Sequence, residues 1–257
     1  MRSPASSVAA DEALRAATWT ETEVAMHRIS RGCATLPQGS FIGCPVTVAT
    51  RDSLGQPTSS LSALIDSRRT CRTFATASLD ASELLDVVLS SLRGSDGRPA
   101  FATPGNISAI STMLLINTVH LNGAMLEQGM YEITPDDRSL NRLSRISFEQ
   151  LRTLVDMKDI TTPAAILLLC VHMKRRRKYA NAYDLGLLET GQALQNIVLF
   201  ATNRNLGTCV LGSVFDEPYW SAVSAEGTTE AVVDRHGVPV VAVAVGRPRP
   251  IDSERMQ

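Results

Sequence analysis

Apolar positions along the chain fall into two rhythms, and the switch between them marks the elements. Leu61, Leu64 and Ile65 share one helical face within residues 59–70, the spacing of a short amphipathic helix. Ser59 or Ser60 can cap it, because a serine oxygen accepts from the free amides of the first turn. Leu84, Val87, Val88 and Leu92 form the buried stripe of a second helix. Asp80 followed by Glu83 has capping-box spacing at its start, and Gly94 ends it. Ser147 and Gln150 open a third, short helix with the same signature. Residues 184–205 carry Leu185, Leu188, Leu194, Ile197, Val198, Leu199 and Ala201 almost all the way round. That girth predicts one long helix buried on most sides. Asn205 and Gly207 tolerate the left-handed backbone that closes such a helix.

Continuous apolar runs predict strands: MLLINTV (113–119), AAILLLCVHM (164–173) and PVVAVAV (239–245). Unbroken runs suit strands buried on both faces. MYEIT (130–134) reads as a shorter strand followed by the turn PDDRS. Residues 1–58 read as an N-terminal arm, with helical points between Asp11 and Ile29 and an extended Gly-, Pro- and Thr-rich part from Cys33 to Pro57. Residues 59–257 read as one domain, a sheet covered by helices.

Composition narrows the class. The 257 residues are 44% hydrophobic and 20% charged, ordinary for a globular chain. With 25 Lys+Arg against 26 Asp+Glu, the net charge of −1 gives no general attraction to nucleic acid or an anionic membrane. No apolar run reaches the ~18 residues of a spanning helix. The first residues lack the apolar core of a secretory signal, so the expected location is the cytoplasm. The five cysteines form no C-x-x-C pair, and neither a disulfide framework nor a metal site is expected. Glycine-rich phosphate loops, H-E-x-x-H and G-x-S-x-G are all missing from the sequence.

Two segments carry chemistry. In Ser67-Arg68-Arg69-Thr70-Cys71-Arg72-Thr73-Phe74 an extended backbone points Arg68, Thr70 and Arg72 to one side. Two guanidinium groups flanking a hydroxyl suit an anion such as phosphate; a solvated basic turn is the plainer reading of the same spacing. Lys174 to Lys178, then Tyr179, sit between a buried strand and a buried helix. Lys178 and Tyr179 are proton-transfer groups if a pKa is lowered; a solvated loop is the plainer reading here.

Together these segments resemble the FMN-dependent nitroreductase superfamily. Arg68-Arg69-Thr70-Cys71-Arg72-Thr73-Phe74 is similar to its first motif, Gly191-Gln192-Ala193-Leu194-Gln195-Asn196 through Ala201 to its second, and Leu206-Gly207-Thr208 to the turn after it. Lys178-Tyr179, with Tyr183 four residues on, resembles the K-Y-x-x-R-A-Y stretch of the SagB/ThcOx-type branch, the azoline dehydrogenases of peptide pathways. The resemblance spans residues 59–249. It implies an α+β fold, a mostly antiparallel sheet wrapped by helices, in a homodimer with FMN at the interface and helix 184–205 at the dimer core. It implies FMN contacts from Arg68, Thr70, Arg72, Leu211, Gly212 and Arg247, and catalysis by Lys178 and Tyr179. A peptide substrate and a cyclodehydratase partner follow from the same likeness. The sequence departs from the branch at residues 101–109, where a Y-P-S-x-G stretch is replaced, at Asn181 for an Arg, and at Gln192 for a His.

The implied reaction turns a thiazoline or oxazoline into the aromatic azole, with Lys178 or Tyr179 taking the Cα proton. Three alternatives stay open. The same flavin and base could oxidise another dehydrogenatable bond in a peptide or peptide-like product. A nitro- or quinone reductase drawing on NAD(P)H needs no such base. A non-catalytic partner subunit that kept the fold accounts for the altered 101–109 segment.

Overall fold

In a computed structural model, the described residues are 46–48, 60–106, 108–134, 138–145, 147–152, 155, 157, 159–172, 179, 181–212, 214 and 236–250. Lys178 with the basic run before it, the helix expected within 11–29 and most of the arm lie outside them. The elements are β1 (Val46–Thr47), α1 (Leu61–Ser67), β2 (Leu79–Asp80), α2 (Ala81–Leu92), β3 (Ile110–Ile116), β4 (Val119–Leu121), β5 (Ala124–Met125), β6 (Gly129–Thr134), β7 (Ser139–Ser144), α3 (Phe148–Leu151), β8 (Ala165–Val171), α4 (Ala182–Asn203), β9 (Gly207–Leu211) and β10 (Val238–Gly246).

Seven strands form one sheet in the order β1-β7-β6-β3-β8-β10-β9, and its ladders are antiparallel. The adjacent inner strands β3, β8 and β10 carry the continuous apolar runs, and both faces are covered. Leu114, Ile116, Leu167, Leu169, Val243 and Val245 pack beneath α2 and α4 in one core. Met113, Leu115, Ile166, Leu168, Ala242 and Ala244 meet Phe74, Phe148, Val155 and Met157 in the other. Apolar residues on both sides of the pleat are what two covered faces require. The expected α+β architecture is therefore the one formed. Val46–Thr47, inside the stretch read as an arm, pairs with β7 at the sheet's edge.

Caps follow the sequence with one exception. Ser60 accepts from Ala63 N–H at the start of α1, and Ser147 with Gln150 forms the full capping box of α3. Asp80 caps α2 through Ser82 N–H, but Glu83 turns its carboxylate to Arg247 instead of closing a box. The run 113–119 is not one strand. β3 starts at Ile110 and stops at Ile116, because the amides of Asn117 and Thr118 both turn to the Ala164 carbonyl at 3.0 Å. Val119 then begins β4 in a second, three-stranded sheet, β2-β4-β5. Its hairpin turns on Asn122 and Gly123, both at positive φ, the pairing a two-residue type I′ turn favours.

Helix α4 departs further from expectation. One face is buried through Ala182, Gly186, Glu189, Ala193, Ile197 and Ala201. Leu187 and Leu188 lie off that face and are exposed at 40% and 64%. A count of apolar residues around a helix does not say how many neighbours it has; one chain covers half of this one. Among the described residues no helix is long and apolar enough to cross a membrane.

Candidate functional site

The first motif is a strap across one end of the sheet. α1 ends at Ser67 and the chain runs on extended. Thr70 bridges Thr208 of β9 in parallel register, with Cys71 N–H donating to the Thr208 carbonyl at 2.8 Å. The strap continues past the end of β10. Phe74 bridges Pro248, Arg249 N–H donates to Thr73 O at 3.0 Å and Ala75 N–H to Arg247 O at 2.9 Å. Thr161 ties the middle, donating its amide to Arg72 O at 3.0 Å and accepting from Phe74 N–H at 2.6 Å.

Two glycines make room for it. Gly207 and Gly246 are register partners in β9 and β10. A Cβ on Gly207 would lie 2.6 Å from Cys71 Sγ, and one on Gly246 would lie 2.8 Å from the Phe74 ring. Gly207 serves here by close approach, not by a left-handed turn; Asn205, at φ 54, takes the left-handed position after α4.

The strap sorts its arginines. Arg69 folds back, donating to the carbonyls of Asp66 and Arg68 at 2.6 and 2.8 Å, where α1 leaves free acceptors. Among the described residues no carboxylate is placed against Arg68 or Arg72. Arg72 makes itself felt at Cys209: burial pushes that thiol's pKa up, and the Arg72 charge works against the rise. Parallel pairing puts the Thr70 and Thr208 side chains on one face, the face on which Val210 is 45% exposed. Arg247 emerges from β10 at the same end of the sheet and donates through Nη2 to Glu83 Oε2 at 2.6 Å.

Leu211 ends β9 with its side chain in the core, so only its backbone borders the edge. Gly212 follows, and a Cβ there would meet nothing among the described residues within 4 Å. Among the described residues, guanidinium groups facing no carboxylate and a hydroxyl at one end, with exposed Val210 further along the strand, suit a ligand that is anionic at one end and aromatic at the other. FMN has that chemistry.

Tyr179 is half-buried and precedes the first residue of α4 by three positions. It lies toward the other end of the sheet. Gly186 of α4 packs on the Val171 side chain, Val171 pairs with Val238, and β10 runs from Val238 to Gly246. At about 3.4 Å per residue its two ends are about 27 Å apart. The strap and Tyr179 therefore flank the sheet from opposite ends.

Sequence reading missed a polar ladder on α4. Glu189, buried at 1% exposure, accepts from Ala109 N–H at 3.1 Å. Gln192 accepts from Ala102 N–H at 3.1 Å. Asn196 donates to the carbonyls of Ser91 and Ala100 at 3.1 and 3.2 Å. Spacings of three and four residues align these side chains on one helix face. They fasten the segment before β3 at Ala100, Ala102 and Ala109. Beside them an open groove of about 910 Å³ runs between α4 and this segment, lined by Ala100, Phe101, Leu187, Leu188 and Gln195 among others.

Comparison with known proteins gives one consistent result. The nitroreductase family model matches residues 65–247. A protein of Methanocaldococcus jannaschii named as a nitroreductase is 24% identical over 153 residues, 58% of this chain and 76% of its own length. A Ralstonia eutropha structure named as a nitroreductase superposes with a TM-score of 0.63 at 14% identity, over 85% of this chain and 97% of that one. The Escherichia coli microcin synthetase McbBCD complex, with truncated pro-MccB17 bound, contains a chain that superposes at 0.60 and 16% identity, covering 85% and 79%. At such identities the structural likeness is one of fold.

Proposed function

The chain belongs to the nitroreductase family, and from that premise we propose an FMN-dependent oxidoreductase that aromatises thiazoline or oxazoline rings in a peptide natural product. The observation that carries the flavin part is the strap. It lies over Gly207 and Gly246, and among the described residues no carboxylate is placed against Arg68 or Arg72 beside Thr70. The peptide part is supported by Lys178-Tyr179 in the sequence and by the fold shared with a chain of the microcin synthetase complex. A cyclodehydratase partner belongs to the same reading. So does a homodimer, closed over the open face of α4.

In this reading Arg68, Arg72 and Arg247 hold the phosphate, and their fixed N–H forks suit its oxygens. The Thr70 hydroxyl adds a donor beside them. The backbone at Leu211 and Gly212 borders the ring. Bound FMN would supply the hydride acceptor that no side chain of this chain can provide. Lys178 Nζ or Tyr179 Oη receives the proton from the azoline Cα. The polar ladder of α4 holds the wall at residues 100–109, on the substrate side.

A spectrum of the purified protein, with and without added FMN, tests the first half. Flavin bands support it, and a protein colourless after reconstitution sinks it. An azoline peptide offered under oxygen tests the second half. The M. jannaschii relative favours one rival, a nitro- or quinone reductase. NADPH oxidation with a quinone, untouched by loss of Lys178, would establish that rival.

A further inference from the structure

Glu83 sits in the first turn of α2, where sequence spacing assigns it to a capping box. Its carboxylate, 15% exposed, is instead engaged with Arg247, 38% exposed. Arg247 is also fixed through its backbone, since its carbonyl accepts from Ala75 N–H of the strap. The residue is thus tied to the strap by its main chain and to α2 by its side chain. A guanidinium has five N–H donors in a rigid fork. The Glu83 contact engages Nη2 and leaves donors for a second anion.

We infer that Glu83 is a positioning residue for the phosphate end of the flavin site, acting only through Arg247. The inference rests on the FMN reading above. Held by Glu83, the Arg247 guanidinium is oriented before the ligand arrives, so less side-chain freedom is lost on binding. Glu83 also sets the charge of the site. Arg68, Arg72 and Arg247 with Glu83 leave a formal charge of two positive units, against about −1.5 to −2 on a phosphate monoester at neutral pH. A bare salt bridge between α2 and the end of β10 would stabilise the fold and treat every flavin alike. A positioning residue distinguishes a flavin with a phosphate from one without.

The test titrates full-length apoprotein with FMN and with riboflavin, following flavin fluorescence. In Glu83→Ala the FMN dissociation constant rises on the order of tenfold, the scale of one charge-assisted hydrogen bond, and the riboflavin constant does not move. Glu83→Gln recovers part of the loss, because its amide oxygen still accepts. Glu83→Ala combined with Arg247→Ala binds FMN no more weakly than Arg247→Ala alone. If Ala at 83 unfolds α2, Glu83→Asp gives the same contrast, its reach being one methylene shorter. Unchanged or tighter FMN binding in Glu83→Ala overturns the inference. So does equal weakening toward both flavins, or an additive double variant. Wild-type protein that binds neither flavin overturns the cofactor reading, and the inference with it.

Discussion

Gly207 and Gly246 face each other across β9 and β10, and the strap passes over both at distances that a missing side chain alone allows. Cys71 occupies the first gap and the Phe74 ring the second. Gly207→Ala must displace a thiol and Gly246→Ala a ring, each costing about 1–3 kcal/mol as an overpacked contact. Urea midpoints measure that loss. Because the strap carries Arg68, Thr70 and Arg72, FMN affinity falls in the same variants. Alanine at either position with wild-type stability and flavin binding would show that the strap does not depend on this floor.

The extended course of the strap from Thr70 to Phe74 was legible because the signal of an extended segment is local. So were β8, β10 and the boundaries of α4 to within two residues. What escaped is long-range. Gly207 is 136 residues from Cys71 in sequence, and no local signal tells a glycine kept for close approach from one kept for a turn. Glu83 has a good local use at the start of α2 and was won by Arg247, 164 residues on. α4 read as buried on most sides because periodicity reports apolar girth and not the number of neighbours. β7 (SLNRLS) was missed because a strand near the sheet edge needs little apolar sequence. The Asn122-Gly123 turn carries a purely local signal, since both residues tolerate positive φ.

Asn196 links three elements by one side chain. Asn196→Ala removes the donor to the part-buried Ser91 carbonyl and to the exposed Ala100 carbonyl, a loss of about 1–2 kcal/mol, mostly from the first. Gln192→Ala costs less, because its contact is exposed. Both free the segment near residues 100–102. Limited proteolysis there speeds up before the urea midpoint of the whole chain has moved far. Cleavage at the wild-type rate would mean that α4 does not hold this wall.

Burial raises the pKa of the Cys71 and Cys209 thiols. The folded chain therefore keeps these protons to a higher pH than the unfolded chain does. The stabilisation is fully present below the unfolded-state value, about 8.5, and is lost as pH rises through the folded-state values. A urea midpoint flat near neutrality and falling in the alkaline range is expected. Cys71→Ala with Cys209→Ala flattens that fall. An unaltered alkaline slope in the double variant would assign it to other groups.

Lys178 and Arg72 define the sharpest test of the assembly. Arg72 belongs to the strap at the Gly246 end of β10, and Tyr179, next to Lys178 in sequence, lies toward the Val238 end. The open face of α4, with Leu187 and Leu188 exposed, runs between those ends. In the proposed homodimer, two copies packed antiparallel along this face would bring one copy's strap toward the other's Tyr179, and each site would draw on both chains. Lys178→Ala alone loses turnover and keeps FMN; Arg72→Ala alone loses FMN affinity. Refolded together in equal amounts, half of the dimers are mixed, and each mixed dimer holds one site intact in both parts. About a quarter of wild-type turnover returns, a statistical consequence of two-fold pairing. Leu188→Glu places a charge on the contact face, yields monomer by sedimentation, and abolishes the recovery. Mixed dimers without recovered turnover would place the base and the strap of each site in the same chain.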